Sequence, residues 1–434
     1  MDEARRVAIV GAGPAGLFTA AALLAQSPDL SIDIFDRLPT PFGLLRYGVA
    51  PDHASIKAVA TTLARVFDAP GVRFLGLVEV GRDVTPDELH AAYDAVVYAV
   101  GAADDRHLGI PGEDLPGSRS ARQFVAWYSG HPDAEPQPLA GVRDAVVIGV
   151  GNVAVDVARI LLKDPAALSA TDMPDAVLAE LQRAEIEHVW LVGRRGPEHA
   201  SFTTPELREL LETPGIGVTL DGVDPAAIDP ETLERHARAN VAAIAAAVAA
   251  SPQVAPRWLH LAFWHRPAVL RGEDRVRAVR LEPTAPGAGG DGLEVAADLV
   301  LRSIGYRGVP VPGLPFDDGR IPNLEGRALE LDGSARPGEY AVGWIKRGPV
   351  GLIGSNKKDA AETAAHVLED LATLPRRRLT DLAARLAARG VTPSTFADWR
   401  RIDAAEIDRG GIRGRERTKI EAWHDLLDLV RPDA

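Results

Sequence analysis

The chain repeats one local pattern: a run of apolar, mostly β-branched residues, a glycine-rich turn, and a segment whose apolar residues have helical spacing. In the first copy these parts cover residues 7–10, 11–16 and 14–26, and the next apolar run, 32–35, ends at Asp36. In the second copy they cover 145–148, 149–154 and 152–162, and the next run, 189–192, leads into Arg194 and Arg195. The pattern predicts two strand–turn–helix–strand units.

Two further apolar runs, 95–100 and 299–304, precede glycines at matching places in the two halves and predict the points where the chain crosses between domains. The sequence therefore predicts an α/β fold with two Rossmann-like, three-layer domains, the second inserted into the first. The first domain comprises 1–104 and 309–434, and the second comprises 105–308. Helical patterns at 356–374, 379–389 and 420–430 predict a helical C-terminal cap, and the Pro- and Gly-rich stretch 283–292 predicts a hairpin loop.

The glycine turns suggest dinucleotide binding because each follows a strand and opens a helix. Glycines at such a turn let the backbone approach a pyrophosphate, whose charge faces the helix N-terminus. Asp36 ends the strand after the first turn, where a carboxylate accepts hydrogen bonds from ribose hydroxyls. Arg194 and Arg195 occupy the corresponding place in the second unit and can pair with a 2'-phosphate, which favours NADP over NAD.

Composition narrows the chemistry further. The chain has 434 residues and a formal net charge of -13, which argues against nucleic-acid binding as the default interpretation. With no cysteine it can form no disulfide, thiolate zinc site, iron–sulfur cluster or dithiol relay, so any iron–sulfur centre must lie on a partner. We also expect no metal among the site residues. The longest apolar stretch, 241–250, is about half a membrane span, and the N-terminal residues lack a signal-peptide pattern. We therefore expect no membrane insertion and a cytoplasmic location.

Several longer motifs carry a family resemblance. They are PFGLLRYGVAPDH at 41–53, IPGED at 110–114, GNVA at 151–154 with Asp156, VGRRGP at 192–197, FTTPELRE at 202–209 and GWIKRGP at 343–349. On these motifs the chain resembles ferredoxin-NADP reductases of the adrenodoxin-reductase type along nearly its whole length. One departure is Asp36, because the family usually has Glu at this position.

The resemblance implies cofactors and site residues. It implies an FAD site formed by the first glycine turn and by Gly11, Gly13, Ala15, Gly16, Asp36, Leu44, Val80, Trp344, Gly351, Leu352 and Ile353. It implies an NADPH site formed by Arg106, Asn152, Val153, Ala154, Val155, Arg194, Arg195, Glu206 and Gly351. His53 and Glu209 match positions that the family places near the nicotinamide, and they are the candidate catalytic residues.

Other interpretations of three of these residues stay open. Trp344 lies in a strand-like run, 340–345, before a glycine-rich segment that suits a large flat ligand, but a tryptophan also packs in cores. His53 precedes a predicted helix and could serve as a cap or pack in the core. Glu209 lies on a predicted helix beside Arg208, where a solvated ion pair would also explain it.

Taken together, these observations predict an NADPH-dependent flavoprotein reductase. The resemblance implies hydride transfer from NADPH to FAD and then delivery of single electrons to a ferredoxin or a similar iron–sulfur carrier. An FAD- and NADPH-dependent monooxygenase is the alternative enzyme. A flavin disulfide reductase is excluded by the absence of cysteine, and a non-catalytic NADPH sensor would not need the flavin site.

Overall fold

The computed structural model describes residues 4–287, 292–351, 353–377 and 382–431. The strands are β1 (Arg6–Val10), β2 (Ser31–Phe35), β3 (Val72–Leu75), β4 (Ala95–Tyr98), β5 (Asp104–Asp105), β6 (Ser118–Ser120), β7 (Asp144–Ile148), β8 (His188–Gly193), β9 (Ile216–Asp221), β10 (Arg257–Phe263), β11 (His265–Arg271), β12 (Ala278–Pro283), β13 (Leu293–Ala296), β14 (Leu299–Arg302), β15 (Tyr306–Arg307), β16 (Asn323–Leu324), β17 (Arg327–Leu329) and β18 (Ala335–Ala341). The helices are α1 (Pro14–Gln26), α2 (Leu44–Tyr47), α3 (Ala54–Lys57), α4 (Val59–Ala64), α5 (Pro86–Ala92), α6 (Ala121–Tyr128), α7 (Asn152–Leu162), α8 (Pro165–Leu168), α9 (Asp175–Arg183), α10 (Thr204–Leu211), α11 (Arg235–Ala249), α12 (Trp344–Arg347), α13 (Ile353–Leu371), α14 (Leu382–Ala388), α15 (Phe396–Gly411) and α16 (Trp423–Val430).

The first sheet has the strand order β16-β17-β18-β4-β1-β2-β3 among the described residues. Its strands β18, β4, β1, β2 and β3 are parallel. Alternate residues along β1 enter two different cores, as the pleat of a strand requires: Val7 and Ile9 pack with α1 and α13, whereas Ala8 and Val10 pack with α5 and α14. Helices thus cover both faces, which gives the three layers that the sequence predicts.

The second sheet has the order β6-β14-β7-β8-β10-β9 and is parallel in every pairing. One face packs against α6, α7, α9, α10 and α11, and the other packs against an antiparallel sheet of β11, β12 and β13. The predicted hairpin loop at 283–292 connects β12 to β13, although residues 288–291 lie outside the described residues.

The two sheets are joined by a short antiparallel ribbon in which β5 pairs with β15. In each sheet the fingerprint strand lies between the next strand of the chain and a later one: β1 lies between β2 and β4, and β7 between β8 and β14. The carboxyl ends of these neighbouring strands form the switch points at which parallel α/β sheets bind ligands. The predicted domain boundaries, 104/105 and 308/309, fall beside the ribbon and stay a prediction.

Most of the predicted elements of the two units are confirmed to within a few residues, and two expectations need correction. The expected strand at 340–345 is wrong, because β18 ends at Ala341 and Gly343, at φ 76°, turns the chain so that Trp344 begins a short helix. The C-terminal cap is confirmed as helical, but α15 was not expected. Its buried face has helical spacing but only two large apolar residues, Trp399 and Ile402, because Glu406 and Gly410 occupy the next positions, so its pattern is weak.

The C-terminal cap contacts both domains. A buried bidentate ion pair joins Arg46 of α2 to Glu406 of α15. Lys419, fully buried, donates from Nζ to the carbonyl oxygens of Arg46 at 2.5 Å and Ser129 at 3.1 Å, and lies 3.3 Å from Asp172. Burial lowers the pKa of Lys419 to about 7, against the opposing charge of Asp172. The cap therefore bridges the two domains through buried charged groups.

Candidate functional site

One continuous cleft of about 1920 Å³ runs along both switch points. Its lining includes the turns after β1 and β7, the ends of β2 and β8, the connecting ribbon and the segment from Trp344 to Asn356. Pockets for one small ligand usually measure about 300–1,000 Å³. The volume and the elongated lining therefore suit two dinucleotides, one in each half of the cleft.

Close backbone packing explains the glycines of the first turn. A Cβ on Gly11, which has a φ of 110°, would lie 2.5 Å from the carbonyl oxygen of Ala99. A Cβ on Gly16 would lie 2.1 Å from the carbonyl oxygen of Gly11. Pro14 occupies the first turn of α1, where its missing N–H costs nothing. The first N–H groups of a helix have no intrahelical partner, so the start of α1 offers donors to a phosphate.

Asp36, the residue after β2, lines the first half of the cleft. Its carboxylate accepts hydrogen bonds from the backbone N–H groups of Ala12, at 2.9 Å, and Leu38, at 3.0 Å. Burial raises the pKa of Asp36, and these two hydrogen bonds oppose that rise. Each carboxylate oxygen keeps a further lone pair, so the side chain ties the fingerprint turn to β2 and can still accept from a ribose hydroxyl.

The wall opposite α1 is formed by the segment that starts at Gly343. The N–H of Gly343 donates to Asp359 of α13 at 2.6 Å, and a Cβ on Gly343 would lie 2.6 Å from the Cβ of Ala15. Trp344 is half-buried, and its ring centroid lies 5.3 Å from that of Tyr306. Since Tyr306 belongs to the ribbon, this ring contact places the segment that contains Trp344 next to the crossing between domains.

The second turn has the same backbone requirements. A Cβ on Gly149, which has a φ of 133°, would lie 2.1 Å from the carbonyl oxygen of Ser303. The third glycine of the pattern is replaced by Ala154, which is fully buried. Asn152, the first residue of α7, accepts from the N–H of Thr203 at 2.7 Å and so connects the turn to the segment before α10.

The arginine pair lies just after β8. Both side chains are exposed and line the cleft, and neither has a carboxylate partner among the described residues. Their backbone is held: the carbonyl oxygen of Arg194 accepts from Thr284 Oγ1 at 2.6 Å, and that of Arg195 accepts from the N–H of Trp264 at 3.2 Å. The backbone of this loop is fixed by hydrogen bonds while the two guanidinium groups remain available, an arrangement that suits the binding of a dianionic phosphate.

His53 and Glu209 come together although they belong to different domains. The Nε2 atom of His53 lies 2.8 Å from Oε2 of Glu209 and 3.9 Å from Oδ1 of Asp156. The side chain of His53 makes no cap hydrogen bond to α3. Burial raises the pKa of Asp156, and the charges of Arg159 and His53 oppose that rise. The alternative of a simple helix cap is therefore wrong, and His53 stands in a cluster of charged groups.

Most of the predicted site residues line this one cleft. The residues that do so are Gly11, Gly13, Ala15, Asp36, Leu44, His53, Val80, Arg106, Asn152, Val153, Arg194, Arg195, Glu206, Trp344, Gly351 and Ile353. Gly16, Ala154 and Val155 are buried behind it, and Glu209 reaches His53 from outside the lining. Leu352 lies outside the described residues. No ligand contact is measured for any of them, so each assignment stays a prediction.

Sequence reasoning missed the ionic partners of His53. Asp52 and Arg159 form a bidentate pair with distances of 3.0 and 2.8 Å, and Arg159 also contacts Asp156 at 2.8 Å. One signal was present: Asn152, Asp156, Arg159 and Lys163 recur at helical spacing along an otherwise apolar α7. Polar residues at this spacing indicate that one face of the helix contacts charged side chains of another segment.

Comparisons with known proteins agree with this geometry. A family model described as pyridine nucleotide-disulphide oxidoreductase matches residues 5–171. The NADPH-ferredoxin reductase FprA of Mycobacterium tuberculosis is 44% identical, with 98% of each chain covered. The human mitochondrial NADPH:adrenodoxin oxidoreductase is 42% identical over 99% of this chain and 92% of its own.

A solved structure gives the same result. Mycobacterium tuberculosis FprA in complex with NADPH superposes with a TM-score of 0.91 at 42% identity, and 99% of each chain is covered. Across the described residues, no helix combines the length and the apolar character needed to cross a membrane. Fold, cleft and fingerprints define a flavoprotein oxidoreductase with two dinucleotide-binding domains. The chain belongs to the family of NADPH-ferredoxin and NADPH:adrenodoxin reductases.

Proposed function

We propose that this protein is an NADPH-dependent FAD flavoprotein reductase that passes electrons to a ferredoxin-type one-electron carrier. The observation that carries the proposal is the single cleft onto which both glycine turns open, with the Trp344 segment against one turn and the arginine pair beside the other. When bound there, FAD accepts a hydride from NADPH and can release its electrons one at a time to a carrier. The chain itself supplies binding, orientation and charge.

The first half of the cleft fits FAD. The close approach of Gly13 and Gly43, where a Cβ on Gly43 would lie 3.0 Å from the Cα of Gly13, leaves backbone as the surface that faces a pyrophosphate. Asp36 is placed for the ribose, and Trp344 and Ile353 lie along the wall where a flat ring would pack.

The second half fits NADPH. The start of α7 offers unpaired N–H groups to the pyrophosphate, and Arg194 and Arg195 suit the 2'-phosphate. Glu206 lines the same half, and its Oε2 is buried without a hydrogen-bond partner in the described part of the chain. A buried acceptor without a partner is costly, which supports a ligand donor at this position.

For the carrier we propose a ferredoxin or a similar iron–sulfur protein. The relatives' names specify ferredoxin and adrenodoxin, and an iron–sulfur centre must lie on the partner because this chain has no cysteine. Arg208 on α10 and Arg235 and Arg238 on the adjacent α11 are exposed cations. We propose them as part of the docking surface, because long-range charge attraction speeds the encounter with an acidic carrier.

The test uses the purified, FAD-loaded protein without oxygen. NADPH should bleach the yellow flavin, and cytochrome c should then be reduced rapidly only after a ferredoxin is added. The ferredoxin-dependent rate should fall steeply with salt, since exposed charges are screened over about 10 Å at 0.1 M, whereas bleaching should change less. A protein that binds no FAD would contradict the proposal. NADPH oxidation that depends on oxygen and an organic substrate, rather than on ferredoxin, would favour the monooxygenase.

The cytoplasmic location also stays a proposal. By contrast, the human relative's name carries the word mitochondrial. Fractionation of the host cells with an antibody to this protein would test it.

A further inference from the structure

Among the described residues, the largest fully buried side chain is that of Arg159, a charged residue in the last turn of α7. A buried guanidinium is stable only when its donors are paired. Arg159 donates from Nε and Nη2 to Asp52 and from Nη1 to Asp156, and Nη1 also lies 3.8 Å from Oε2 of Glu209. Its three acidic neighbours are the residue before His53 and the two carboxylates that flank the imidazole.

Asp52 is held equally firmly. It receives Lys163 Nζ at 2.9 Å in addition to Arg159. Burial would raise the pKa of Asp52, but the hydrogen bonds and charges of Arg159 and Lys163 hold that pKa well below its usual range. Asp52 therefore stays ionised, and its loop in the first domain is tied to the helix that opens the second glycine turn.

We propose that Arg159 is a positioning residue: by joining Asp52 to Asp156 it sets where His53 stands relative to Glu209 and to the nicotinamide half of the cleft. The inference rests on the proposed function. Because His53 follows Asp52 directly, a shift of the Asp52 carboxylate moves the imidazole as well. His53 Nε2 is 2.8 Å from one carboxylate and 3.9 Å from the other, so a movement of about 1 Å would exchange its partner or leave it without one.

The main test replaces Arg159 by Lys. Lysine keeps the positive charge but lacks the planar fork that holds two carboxylates at once. In the FAD-loaded variant we expect the limiting rate of flavin bleaching by NADPH to fall about 10- to 100-fold, because misplacement by 1 Å has effects of that size. The dissociation constant of NADP+ should change by less than about threefold, because the phosphate-binding turns are untouched.

Hydrogen exchange gives a readout that does not depend on activity. The amide of His53 donates to Ala50, and the amides of Ile56 and Lys57 donate to the carbonyl oxygen of His53. In Arg159→Lys these amides should exchange faster, whereas those of α5, which packs on the other face of the first sheet, should not. The matched control is Arg257→Lys: Arg257 donates to the carbonyl oxygen of Leu162 at the end of the same helix and has no contact with Asp52.

If Arg159→Lys does not fold, Asp52→Asn carries the test, because it removes the charge of the partner at nearly constant volume. A bleaching rate per bound flavin equal to that of the unaltered protein would overturn the inference. So would an equal loss of rate in Arg257→Lys, which would indicate general weakening of α7. If NADPH does not bleach the unaltered protein, the proposed function fails, while the exchange comparison still decides the role of Arg159.

Discussion

The two glycine turns have the same backbone geometry and opposite side-chain chemistry. In the first unit the strand after the turn is followed by Asp36, whose carboxylate is half-buried and accepts hydrogen bonds from two backbone N–H groups. In the second unit the equivalent strand is followed by Arg194 and Arg195, whose guanidinium groups are exposed and have no carboxylate partner among the described residues. The acid is part of the turn's own structure, whereas we propose that the arginines bind a ligand.

The comparison teaches that nucleotide choice can be separated from fold. Asp36 also stabilises the turn, so replacing it would weaken the binding site itself. Arg194 and Arg195 are exposed and, in the part of the chain that the structure describes, make no such contact with the turn, so they can be replaced without disturbing its structure. Each half of the cleft should accordingly respond to substitution in its own way, and the expected effects run from loss of a whole cofactor to a small change in one binding constant.

The largest effects should come from the first glycine of each turn. We expect Gly11→Ala to lose FAD and the visible flavin absorbance, because the new Cβ would meet the carbonyl oxygen of Ala99 at 2.5 Å in a backbone conformation strained for alanine. Gly149→Ala should stay yellow but no longer be bleached by NADPH, since its Cβ would meet Ser303. Gly411→Ala, in open space on α15, is the control. A colourless Gly149→Ala protein would show that the two halves are not independent.

The double replacement of Arg194 and Arg195 by Ala should raise the KM for NADPH about a hundredfold, because each charge-assisted hydrogen bond to the 2'-phosphate contributes about 1.5–3 kcal/mol. The KM for NADH and the flavin spectrum should stay nearly unchanged. Arg266→Ala is the matched control, since Arg266 lines the same cleft but is paired with Glu282 at 3.0 Å. Equal losses with both coenzymes would mean that the pair supports the fold instead.

Asp36→Asn should weaken FAD binding about tenfold, the equivalent of about 1.4 kcal/mol. Asparagine keeps only one acceptor oxygen, and its NH2 group would face the backbone N–H of Ala12 or of Leu38. Two donors cannot hydrogen-bond to each other, so one of these contacts would be lost. Equilibrium dialysis of the flavin measures the change, with the exposed Asp29→Asn as control. A rise in the KM for NADPH without loss of flavin would place Asp36 outside the FAD site.

The smallest expected effect concerns the support of the arginine loop. Thr284→Val removes the hydroxyl that donates to the carbonyl oxygen of Arg194, and we expect the KM for NADPH to rise about threefold, in line with one hydrogen bond of modest strength. NADH should be unaffected, and Thr284→Ser should restore the unaltered value. If both variants keep the KM of the unaltered protein, the Thr284 hydroxyl does not contribute and the contact between Trp264 N–H and the carbonyl oxygen of Arg195 is enough to hold the loop.

The sequence was most informative where structure is local. Each glycine turn, its helix and the following strand lie within a few tens of residues, and glycine, proline and β-branched residues determine those conformations directly. The fold class and the binding of two dinucleotides therefore followed from the local pattern, whereas FAD was implied by the family resemblance. The strand expected through Trp344 failed for a local reason as well, because Gly343 takes a positive φ that hydropathy does not report.

Long-range contacts could not be read in this way. Asp52 and Arg159 are 107 residues apart, and Lys419 meets Arg46 across 373 residues. Nothing in the local pattern pairs these charges, and a charged residue in a helix is most often exposed. The contact between His53 and Glu209 was implied only by resemblance, since their proximity depends on how the two domains are oriented.

The insertion of one domain into the other has a consequence for biosynthesis. The ribosome makes β1, β2 and β4 first, but β18, which pairs with β4, and α13, which packs on α1, follow the entire second domain. Until Leu371 has emerged, the outer edge of β4 and the apolar side of α1 lack their partners. The second domain, contiguous in the chain, can fold while the first still waits, so the N-terminal fingerprint is synthesised early but its domain is completed last.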